Sequence, residues 1–339
     1  MDAASDSVKS ILITGATGTF GRAFLRRLQR DQLCERAVCY SRDEVKQAAL
    51  RDEFDGWPRL FLGDVRDPVR LSMALRGVEV VVHAAALKRV DAGAYSPSEM
   101  VATNVQGTIN VVNAAIQCSV SSVVIISSDK ACSPTNIYGK TKSLAEDYAV
   151  HANSYGYPTG TRIAVVRYGN VLASRGSVVG IWRDQIARGI PMTVTDFRMT
   201  RFVMTIERAV DLVLYALREL RGGEVFVPLL PSARIADLAL AVAPVVPQDM
   251  PTYPIRACGI RPGGEKLAER LLNEEEPGRT RFYDQHYIVA PSYHDWALAP
   301  AWPGLLVSPR LQYLSDGEDQ RFLSATELRD LLASTEAGA

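Results

Sequence analysis

The run Lys9-Ser-Ile-Leu-Ile-Thr14, followed by Gly15-Ala-Thr-Gly18-Thr-Phe-Gly21, decides the fold of this 339-residue chain. The first part predicts a short buried strand, and Arg22-Ala-Phe-Leu-Arg-Arg-Leu28 then repeats apolar residues at helical spacing. A strand, a glycine turn and a helix form a dinucleotide site, because glycine lets the main chain approach a pyrophosphate and the helix N-terminus attracts its charge. A purely structural turn is the alternative. The residues expected to hold the dinucleotide here are Gly15, Thr17, Gly18, Thr19, Phe20 and Gly21.

The next predicted strand, Ala37-Val-Cys-Tyr40, bears on which dinucleotide is bound. An NAD enzyme usually carries an acid about twenty residues after the last glycine, for the ribose hydroxyls. This chain instead has Ser41 and Arg42, with Lys46 one turn further on. A guanidinium and an ammonium suit a 2′-phosphate, so NADP is predicted over NAD. Asp43 competes with this interpretation, and a solvated loop charge is the alternative for Arg42.

Three further short apolar runs predict strands of the same sheet. Leu60-Phe61-Leu62 leads to Asp64 and Val65, where the carboxylate is a candidate acceptor from an adenine amino group. Val78-Glu-Val-Val-Val-His83 is followed by Ala84, Ala85 and Ala86, whose small side chains allow a cofactor to lie close to the main chain. Ser122-Val-Val-Ile-Ile126 ends beside Ser127. His83 is expected to be a packed, neutral histidine rather than a base. The sequence therefore predicts an α/β fold with a Rossmann-like, doubly wound parallel sheet.

The segment after the fifth strand contains the candidate catalytic groups. Tyr138 and Lys142 are four residues apart, so on a helix they share a face, and the ammonium is expected to lower the phenol pKa and make Tyr138 a base. Asp129 and Lys130 supply a second acid and amine just upstream. Taken alone, the first pair is common on surface helices and the second is common in solvent-facing loops. The neighbouring dinucleotide pattern favours catalysis.

Together these residues resemble the extended short-chain dehydrogenase/reductases, and within them the inverting UDP-N-acetylglucosamine 4,6-dehydratases. The similarity runs from about Val8 to Leu328. Its motifs occur in order and in different structural roles. They are Tyr40-Ser-Arg-Asp-Glu44, His83-Ala-Ala-Ala-Leu-Lys88, Ser128-Asp-Lys-Ala131, Arg167-Tyr-Gly-Asn-Val171, Ser174-Arg-Gly-Ser-Val178, Thr195-Asp196 with Met199-Thr-Arg-Phe202, and Gly259-Ile-Arg-Pro262.

The resemblance implies a reaction in which the hexose is oxidised at C4 for a short time. The ketone acidifies the C5 hydrogen, so that water can be lost across C5 and C6. Tyr138 would take the O4 proton while Lys142 holds the ribose and tunes Tyr138. Lys130 would remove the C5 proton, and Asp129 would protonate the departing C6 hydroxyl. Retaining relatives have a glutamate in place of the lysine, so the Asp-Lys pair indicates inversion at C5. A basic lysine needs a lowered pKa, for which Lys88 and Lys142 are the candidate neighbouring cations.

The resemblance assigns substrate binding to a smaller, discontinuous α/β lobe. Residues 1–170 would form the NADP-binding domain, to which later segments return, and residues 171–339 would form mainly the smaller lobe. Two arginines of that lobe are expected to face the phosphates. Gly263-Gly264 carries one glycine more than the family pattern, which shifts Glu265 relative to Arg261. The implied substrate-binding residues are Lys88, Asn170, Val178, Thr195, Met199, Arg201, Arg261 and Glu265.

Composition agrees with a cytoplasmic enzyme. The formal net charge is +0 and 47% of residues are hydrophobic, so nothing favours nucleic acid or anionic lipid, and no apolar run is long enough to span a membrane. The five cysteines show no Cys-x-x-Cys spacing and are expected to be reduced, and the four histidines are too scattered to suggest a metal. A homo-oligomer acting on a UDP-N-acetylhexosamine is expected from the resemblance.

Two other functions stay open at this point. The same scaffold supports UDP-sugar 4-epimerases and 5,6-dehydratases, although an epimerase has no need of a second acid/base pair. A non-catalytic protein that senses NADP is the alternative from outside the enzymes. The sequence does not identify the exact sugar, the downstream pathway or the number of subunits.

Overall fold

Strand β1 (Val8–Thr14) and helix α1 (Thr19–Arg30) form as the N-terminal pattern predicts. The structure is a computed structural model that describes residues 8–174, 176–244, 253–261, 264–293 and 302–337. Ile11, Leu12 and Ile13 are at most 1% exposed, and α1 packs Phe24 and Leu28 into the same core. The apolar strand and the apolar helix face are therefore the two layers on either side of the glycine turn.

The other elements follow in chain order. The strands are β2 (Cys34–Ser41), β3 (Arg59–Leu62), β4 (Val80–His83), β5 (Ser122–Ile126), β6 (Arg162–Val166), β7 (Asn170–Val171), β8 (Met192–Val194), β9 (Thr200–Met204), β10 (Val225–Pro228), β11 (Ser232–Arg234), β12 (Ile255–Ala257), β13 (Thr280–Tyr283), β14 (His286–Val289) and β15 (Leu305–Leu306). The helices are α2 (Glu44–Glu53), α3 (Pro68–Ala74), α4 (Val90–Tyr95), α5 (Pro97–Val101), α6 (Gly107–Gln117), α7 (Ile137–His151), α8 (Asn153–Gly156), α9 (Val178–Ala187), α10 (Ile206–Glu219), α11 (Ile235–Val242) and α12 (Ala325–Ala337). A π-helical turn spans Ala102–Gln106, and short 3₁₀ turns span Asp129–Ala131, Tyr157–Thr159 and Pro277–Arg279.

The large sheet has the strand order β15-β13-β14-β10-β6-β5-β4-β1-β2-β3. The seven strands β3, β2, β1, β4, β5, β6 and β10 pair in parallel with their neighbours. Strands β14, β13 and β15 extend the sheet from β10 in antiparallel pairing. The chain order reverses between β1 and β4, which is where ligands bind in open α/β sheets. Thr14 pairs with both Tyr40 and His83, so three strand ends are level at this point. The predicted Rossmann-like fold is confirmed.

A smaller lobe is built from the later part of the chain. It contains the sheets β11-β9-β7 and β12-β8, with a separate apolar core around Trp182, which is fully buried. The Trp182 Nε1 atom donates to the Thr193 carbonyl oxygen (2.7 Å), which ties α9 to β8. Strands β10, β13, β14 and β15 instead join the large sheet. Chain segments on both sides of residue 170 therefore contribute to the Rossmann-like layer.

Candidate active site

The glycine turn after β1 needs residues without a side chain at the positions where its main chain packs closely against neighbouring backbone. Gly15 has φ +69°, and a Cβ there would lie 2.9 Å from the amide nitrogen of Ala85. A Cβ on Gly21 would lie 2.5 Å from Ala16, so α1 packs closely against the turn. Gly18 is the N-cap of α1 and offers no side chain to bond the first amides. This cradle fits a pyrophosphate at the helix N-terminus. Thr17, Thr19 and Phe20 complete the turn, and Phe20 stacks on Phe24 (5.5 Å between ring centroids).

The basic residues predicted to meet a 2′-phosphate follow the end of β2, which pairs with the end of β1. Arg42 has 54% of its side chain exposed and faces Asp64 across 3.6 Å. Lys46 pairs with Asp43, the N-cap of α2, and Ser41 Oγ accepts from Gln47 Nε2 (2.9 Å). Both cations are therefore exposed at the end of β2 but have acidic partners, so an incoming phosphate would compete with Asp64 and Asp43.

The Asp64 carboxylate, which is predicted to accept a hydrogen bond from adenine, is already bonded to another side chain of the protein. Arg66 donates to both carboxylate oxygens (3.0 and 2.7 Å), and these hydrogen bonds hold the pKa of Asp64 below its ordinary value. Val65 is 5% exposed, and its carbonyl oxygen accepts from Asn110 (3.1 Å). The adenine role of Asp64 and Val65 stays a prediction.

Polar side chains hold the end of β4, and two of them, Asn104 and Thr108, belong to none of the sequence motifs. His83 accepts or donates at Thr14 Oγ1 (2.7 Å) and Thr108 Oγ1 (3.1 Å), and burial lowers its pKa to about 3. The prediction of a packed, neutral histidine is confirmed. Asn104, in the π-helical turn, donates to the Leu87 carbonyl oxygen (2.9 Å) and accepts from the Leu87 amide (2.8 Å). These bonds fix the strand that runs past Ala84, Ala85 and Ala86.

Tyr138 and Lys142 lie on the first turns of α7, as predicted. Asn136 caps this helix by accepting from the Gly139 amide (3.0 Å). Tyr138 is 8% exposed and Lys142 is 5% exposed, so neither is on a solvated helix face. Lys142 Nζ donates to the carbonyl oxygen of Ile126 at the end of β5 (2.5 Å). The helix thus directs both groups toward the carboxyl edge of the sheet.

The expected lowering of the Tyr138 pKa is wrong for the protein on its own. Burial raises that pKa above its ordinary value, and a hydrogen bond with Ser128 and the charge of Lys130 offset only part of the rise. The cation that acts on Tyr138 is therefore Lys130 rather than Lys142. Burial also lowers the pKa of Lys142 to about 8, against the opposing effect of Glu146. Sequence spacing could not reveal how deeply the helix face is buried.

Asp129 and Lys130 form a close pair in the 3₁₀ turn after β5. Ser128 caps this turn by accepting from the Lys130 amide (3.1 Å), and the Asp129 amide donates to the Tyr168 carbonyl oxygen (3.0 Å). Lys130 Nζ lies 2.9 Å from Asp129 Oδ1. Asp129 is 1% exposed, its Oδ2 atom has no hydrogen-bond partner, and burial raises its pKa. A solvent-facing loop pair is thereby excluded.

The expectation of a lowered Lys130 pKa is also wrong. Burial lowers this pKa, but the carboxylates of Asp129 and Glu269 outweigh that effect and raise it above the ordinary value. The cation that opposes protonation of Lys130 is Arg201, not Lys88 or Lys142. Lys88 is exposed. The two carboxylates come from segments far apart in sequence, so the sequence motif alone showed only the nearer one.

A cavity of about 80 Å³ opens beside Lys130. It joins Lys130 to four of the predicted substrate residues, namely Asn170, Arg201, Arg261 and Glu265. Val178, Thr195, Met199 and Lys88 do not line it. Val178 begins α9, Thr195 follows β8, and Met199 is 2% exposed. The cavity walls also include Val90, Thr135, Asn136, Lys266 and Glu269.

The two arginines expected to face phosphates are held differently from each other. Arg201 is 7% exposed and donates to the carbonyl oxygens of Thr200 (2.7 Å) and Leu267 (3.1 Å), and to the Met199 sulfur (3.3 Å). Arg261 has 62% of its side chain exposed and pairs with Glu265. Arg261 is therefore the more accessible cation for a diphosphate. The effect of the extra glycine at Gly263-Gly264 lies partly outside the described residues, which exclude position 263.

Behind α7 lies a buried ion cluster that was not predicted from the sequence. Arg167 is 1% exposed and pairs with Glu146 of α7 and with Glu276 (2.8 Å). It also donates to the Leu271 carbonyl oxygen (2.9 Å). The cluster joins the helix of Tyr138 and Lys142 to residues 271–276, which follow the cavity-lining residue Glu269. The motif Arg167-Tyr-Gly-Asn-Val171 was the available signal, but it did not reveal the partners.

Removing the charge of Arg167 is expected to destabilise the fold strongly. In Arg167→Met, the carboxylates of Glu146 and Glu276 stay buried without a cation, a change that costs about 3–5 kcal/mol. Chemical denaturation followed by circular dichroism measures this loss. Arg30→Met is the control, since Arg30 has 69% of its side chain exposed and should cost within about 0.5 kcal/mol. Equal midpoints for the two variants would contradict the prediction.

Metal binding and membrane insertion can be assessed for the described part of the chain. Within these residues, no group of three or more His, Cys, Asp or Glu side chains is placed to hold a metal ion. None of the described helices is both long and apolar enough to cross a membrane.

Comparison with known proteins gives the chain relatives along almost its whole length. A Campylobacter jejuni protein named UDP-N-acetylglucosamine 4,6-dehydratase (inverting) is 39% identical over 337 residues, covering 97% of this chain and 98% of the relative. A Rickettsia massiliae protein named UDP-glucose 4-epimerase is 39% identical over 286 residues, covering 83% of this chain and 82% of the relative. The X-ray structure of Pen from Bacillus thuringiensis superposes with a TM-score of 0.86 at 33% identity, covering 97% of this chain and 99% of that one.

A family model also matches most of the chain. The family is described as polysaccharide biosynthesis protein, and its match extends over residues 11–291, which contain the glycine turn, the Asp129–Lys130 pair and the cavity-lining residues as far as Glu269. The chain belongs to the polysaccharide biosynthesis protein family.

Proposed function

We propose that this chain is an NADP-dependent UDP-N-acetylglucosamine 4,6-dehydratase that inverts C5 and gives a 6-deoxy-4-keto sugar. The observation that carries the proposal is the pair formed by the buried Asp129 and Lys130 near Tyr138, with Lys130 in the wall of a cavity that an accessible arginine, Arg261, also lines. The name of the Campylobacter jejuni relative supports the same reaction. NADP, when bound, would supply a reversible hydride acceptor.

The residues present fit that cofactor. The turn containing Gly15, Gly18 and Gly21 would receive the pyrophosphate, because it leads into the N-terminus of α1, where Gly18 offers no side-chain cap. Arg42 and Lys46 would hold the 2′-phosphate at the end of β2. Lys142 would hold the ribose from the face of α7.

Tyr138 would begin the reaction by accepting the O4 proton as C4 is oxidised. Its raised pKa makes the phenolate scarce at neutral pH, so the Ser128 hydrogen bond and the charge of Lys130 matter because both favour the phenolate. The ketone formed at C4 then makes the C5 hydrogen acidic enough for removal by an amine.

Dehydration needs a base and an acid, and the Asp129–Lys130 pair can supply both when it carries a single shared proton. When the proton lies on Lys130, the pair is an ammonium and a carboxylate; when it moves across 2.9 Å to Asp129, the pair is an amine and a carboxylic acid. The amine removes the C5 proton, and the acid gives its proton to the C6 hydroxyl, which leaves as water. The pair is then an ammonium and a carboxylate. To complete the product, C6 would take back the hydride removed from C4, C5 would take a proton from Lys130, and the O4 proton held by Tyr138 would restore the proton that the pair shares. A raised Lys130 pKa is therefore compatible with catalysis by the minor form.

The substrate diphosphate is assigned to the lobe side of the cavity. Arg261 is exposed there and its planar fork suits a phosphate, although it must exchange its bond with Glu265. Asn170 lies on the same wall. Lys88, Val178, Thr195 and Met199 keep the substrate-binding roles implied by the sequence only as predictions.

The test is incubation of the purified protein with UDP-N-acetylglucosamine in deuterated water, followed by NMR and mass spectrometry. The proposal expects loss of water, deuterium at C5, a methyl group at C6 and inverted C5 configuration, without added cofactor. A 4-epimerase, favoured by the name of the Rickettsia massiliae relative, would give an isomer of unchanged mass without solvent deuterium at C5. A 5,6-dehydratase would release an alkene.

Arg42→Ala tests the assignment of NADP. Loss of a charge-assisted bond to the 2′-phosphate is expected to weaken NADP binding about tenfold or more and to leave NAD binding unchanged. Isothermal titration with both dinucleotides measures this difference. Arg36→Ala removes a cation from the other end of the same strand, where Arg36 bonds the Gly77 carbonyl oxygen (3.2 Å), and is the control. Equal losses for NADP and NAD in Arg42→Ala would overturn the assignment.

A further inference from the structure

Glu269 is a buried carboxylate at the catalytic pair that neither the sequence motifs nor the proposed chemistry uses. It is 2% exposed. Its Oε1 atom lies 3.6 Å from Lys130 Nζ and 3.9 Å from Arg201 Nε, and its Oε2 atom lies 2.7 Å from Lys266 Nζ. One side chain therefore contacts three cations at the wall of the cavity.

The segment that carries Glu269 is fastened to the loop that carries Asp129 and Lys130. Lys266 Nζ donates to the Cys132 carbonyl oxygen (2.8 Å), and Asn136 Nδ2 donates to the Gly264 carbonyl oxygen (3.1 Å). The Ser133 amide donates to Asn273 Oδ1 (3.2 Å). Three bonds from different positions hold the two segments together, so the distance between Glu269 and Lys130 is set by the fold.

Charges surround Lys130 on every side of this contact. Asp129 precedes it in the same turn, Arg201 faces it from β9, and Tyr138 faces it from α7. Glu269 faces Lys130 from the cavity wall, and Lys266 lies against the other oxygen of the Glu269 carboxylate. Three cations and two carboxylates leave the cluster with one positive charge when all are ionised. Apart from Asp129, Glu269 is the carboxylate that offsets the positive charge of these cations.

We propose that Glu269 is a positioning residue that anchors the Lys130 ammonium beside Asp129 and thereby sets the pH range in which the pair carries one shared proton. This inference rests on the proposed function, because it concerns the same pair. Glu269 itself neither gains nor loses a proton in the reaction. Within the pair the proton passes from the Lys130 nitrogen to an Asp129 oxygen, and Glu269 holds the ammonium whenever the proton returns.

The sign of the effect follows from electrostatics. A negative charge near an acid or an amine favours its protonated form, so the Glu269 carboxylate raises the pKa of both Asp129 and Lys130. The pair is active between the two titrations, which are the acidic and basic limbs of a bell-shaped profile. Glu269→Gln should move both limbs to lower pH, by about one pH unit or more.

Lys266→Met should move the profile in the opposite direction. It removes a positive charge that lies against Glu269, so the protonated forms of the pair become easier to keep and both limbs move to higher pH. If Glu269 had a purely structural role, its replacement would lower activity, but the pH profile would not move to lower pH in Glu269→Gln and to higher pH in Lys266→Met. Glu269→Asp should restore most of the wild-type profile.

The experiment measures kcat/KM against pH and, separately, the rate at which acetic anhydride acetylates Lys130, quantified by mass spectrometry. Only the neutral amine reacts, and 27% of the Lys130 side chain is exposed. At a fixed pH below the Lys130 pKa, the rate in Glu269→Gln should rise about tenfold for every pH unit by which that pKa falls. Glu265→Gln, in the same cavity, should lower KM, because Arg261 no longer has to exchange its bond with the Glu265 carboxylate for a phosphate, and should leave the two limbs in place.

Unchanged limbs and an unchanged acetylation rate in folded Glu269→Gln would overturn the inference, as would shifts of the same sign in Glu269→Gln and Lys266→Met. The acetylation measurement needs no turnover. If the chain failed to dehydrate any sugar while Lys130 reactivity still rose in Glu269→Gln, the proposed function would fail and the anchoring role would stand.

Discussion

Lys130→Met is expected to stop dehydration after the sugar has been oxidised. The variant keeps Tyr138 and Lys142 on α7, so the O4 proton and the C4 hydride can still leave, but more slowly, because the Lys130 charge that favours the Tyr138 phenolate is gone. It lacks the amine that is proposed to remove the C5 proton, and loss of a positioned base costs about 10²- to 10⁴-fold in rate. Reduced cofactor should therefore accumulate to nearly one equivalent in a single turnover. Stopped-flow absorbance of the reduced cofactor and mass spectrometry of the sugar measure the two events separately.

Lys140→Met is the matched control for this variant. Lys140 is exposed, lies on the same helix as Tyr138, and has no place in the proposed chemistry. Its kcat should be that of the wild type. Asp129 loses its nearest cation in Lys130→Met, so circular dichroism and cofactor binding are needed to show that the variant is folded. Wild-type turnover by folded Lys130→Met would remove Lys130 from the mechanism.

The Rossmann-like half of the fold could be predicted from the sequence because its information is local. The predicted strand Ser122-Val-Val-Ile-Ile126 has the bounds of β5, and the other four predicted strands differ from the structure by a few residues at their ends. Each strand is a short apolar run, and each is followed by a turn with recognisable residues. The glycine turn was equally legible, since Gly15 needs a positive φ and Gly21 needs close packing.

The protonation of the site could not be predicted, because it depends on contacts between distant segments. Lys130 and Glu269 are separated by 139 residues in the sequence but by 3.6 Å in the structure. A motif identifies Lys130 as an amine next to an acid, yet the direction in which its pKa moves is decided by the second carboxylate. The same holds for Tyr138, whose burial by the surrounding elements outweighs the neighbouring positive charge.

Tyr138→Phe is expected to block the reaction one step earlier than Lys130→Met. In the proposed chemistry the phenol oxygen accepts the O4 proton, so its loss should slow the first oxidation by about 10²- to 10⁴-fold. Because C4 is not oxidised, neither reduced cofactor nor solvent deuterium at C5 should be detected. In the wild type the oxidation phase should become faster as pH rises, since the raised Tyr138 pKa keeps the phenol protonated at neutral pH. This dependence should vanish in Tyr138→Phe.

Tyr168→Phe is the matched control, since it removes a buried phenol oxygen near Tyr138 from the end of β6. It should keep both the reduced-cofactor signal and its pH dependence. The comparison with Lys130→Met is decisive because the two failures differ in kind: Lys130→Met leaves reduced cofactor and an undehydrated sugar, whereas Tyr138→Phe leaves oxidised cofactor and intact substrate. If Tyr138→Phe also accumulated reduced cofactor, the O4 proton would have another acceptor. Ser128, which hydrogen-bonds Tyr138, would then be the residue to replace next.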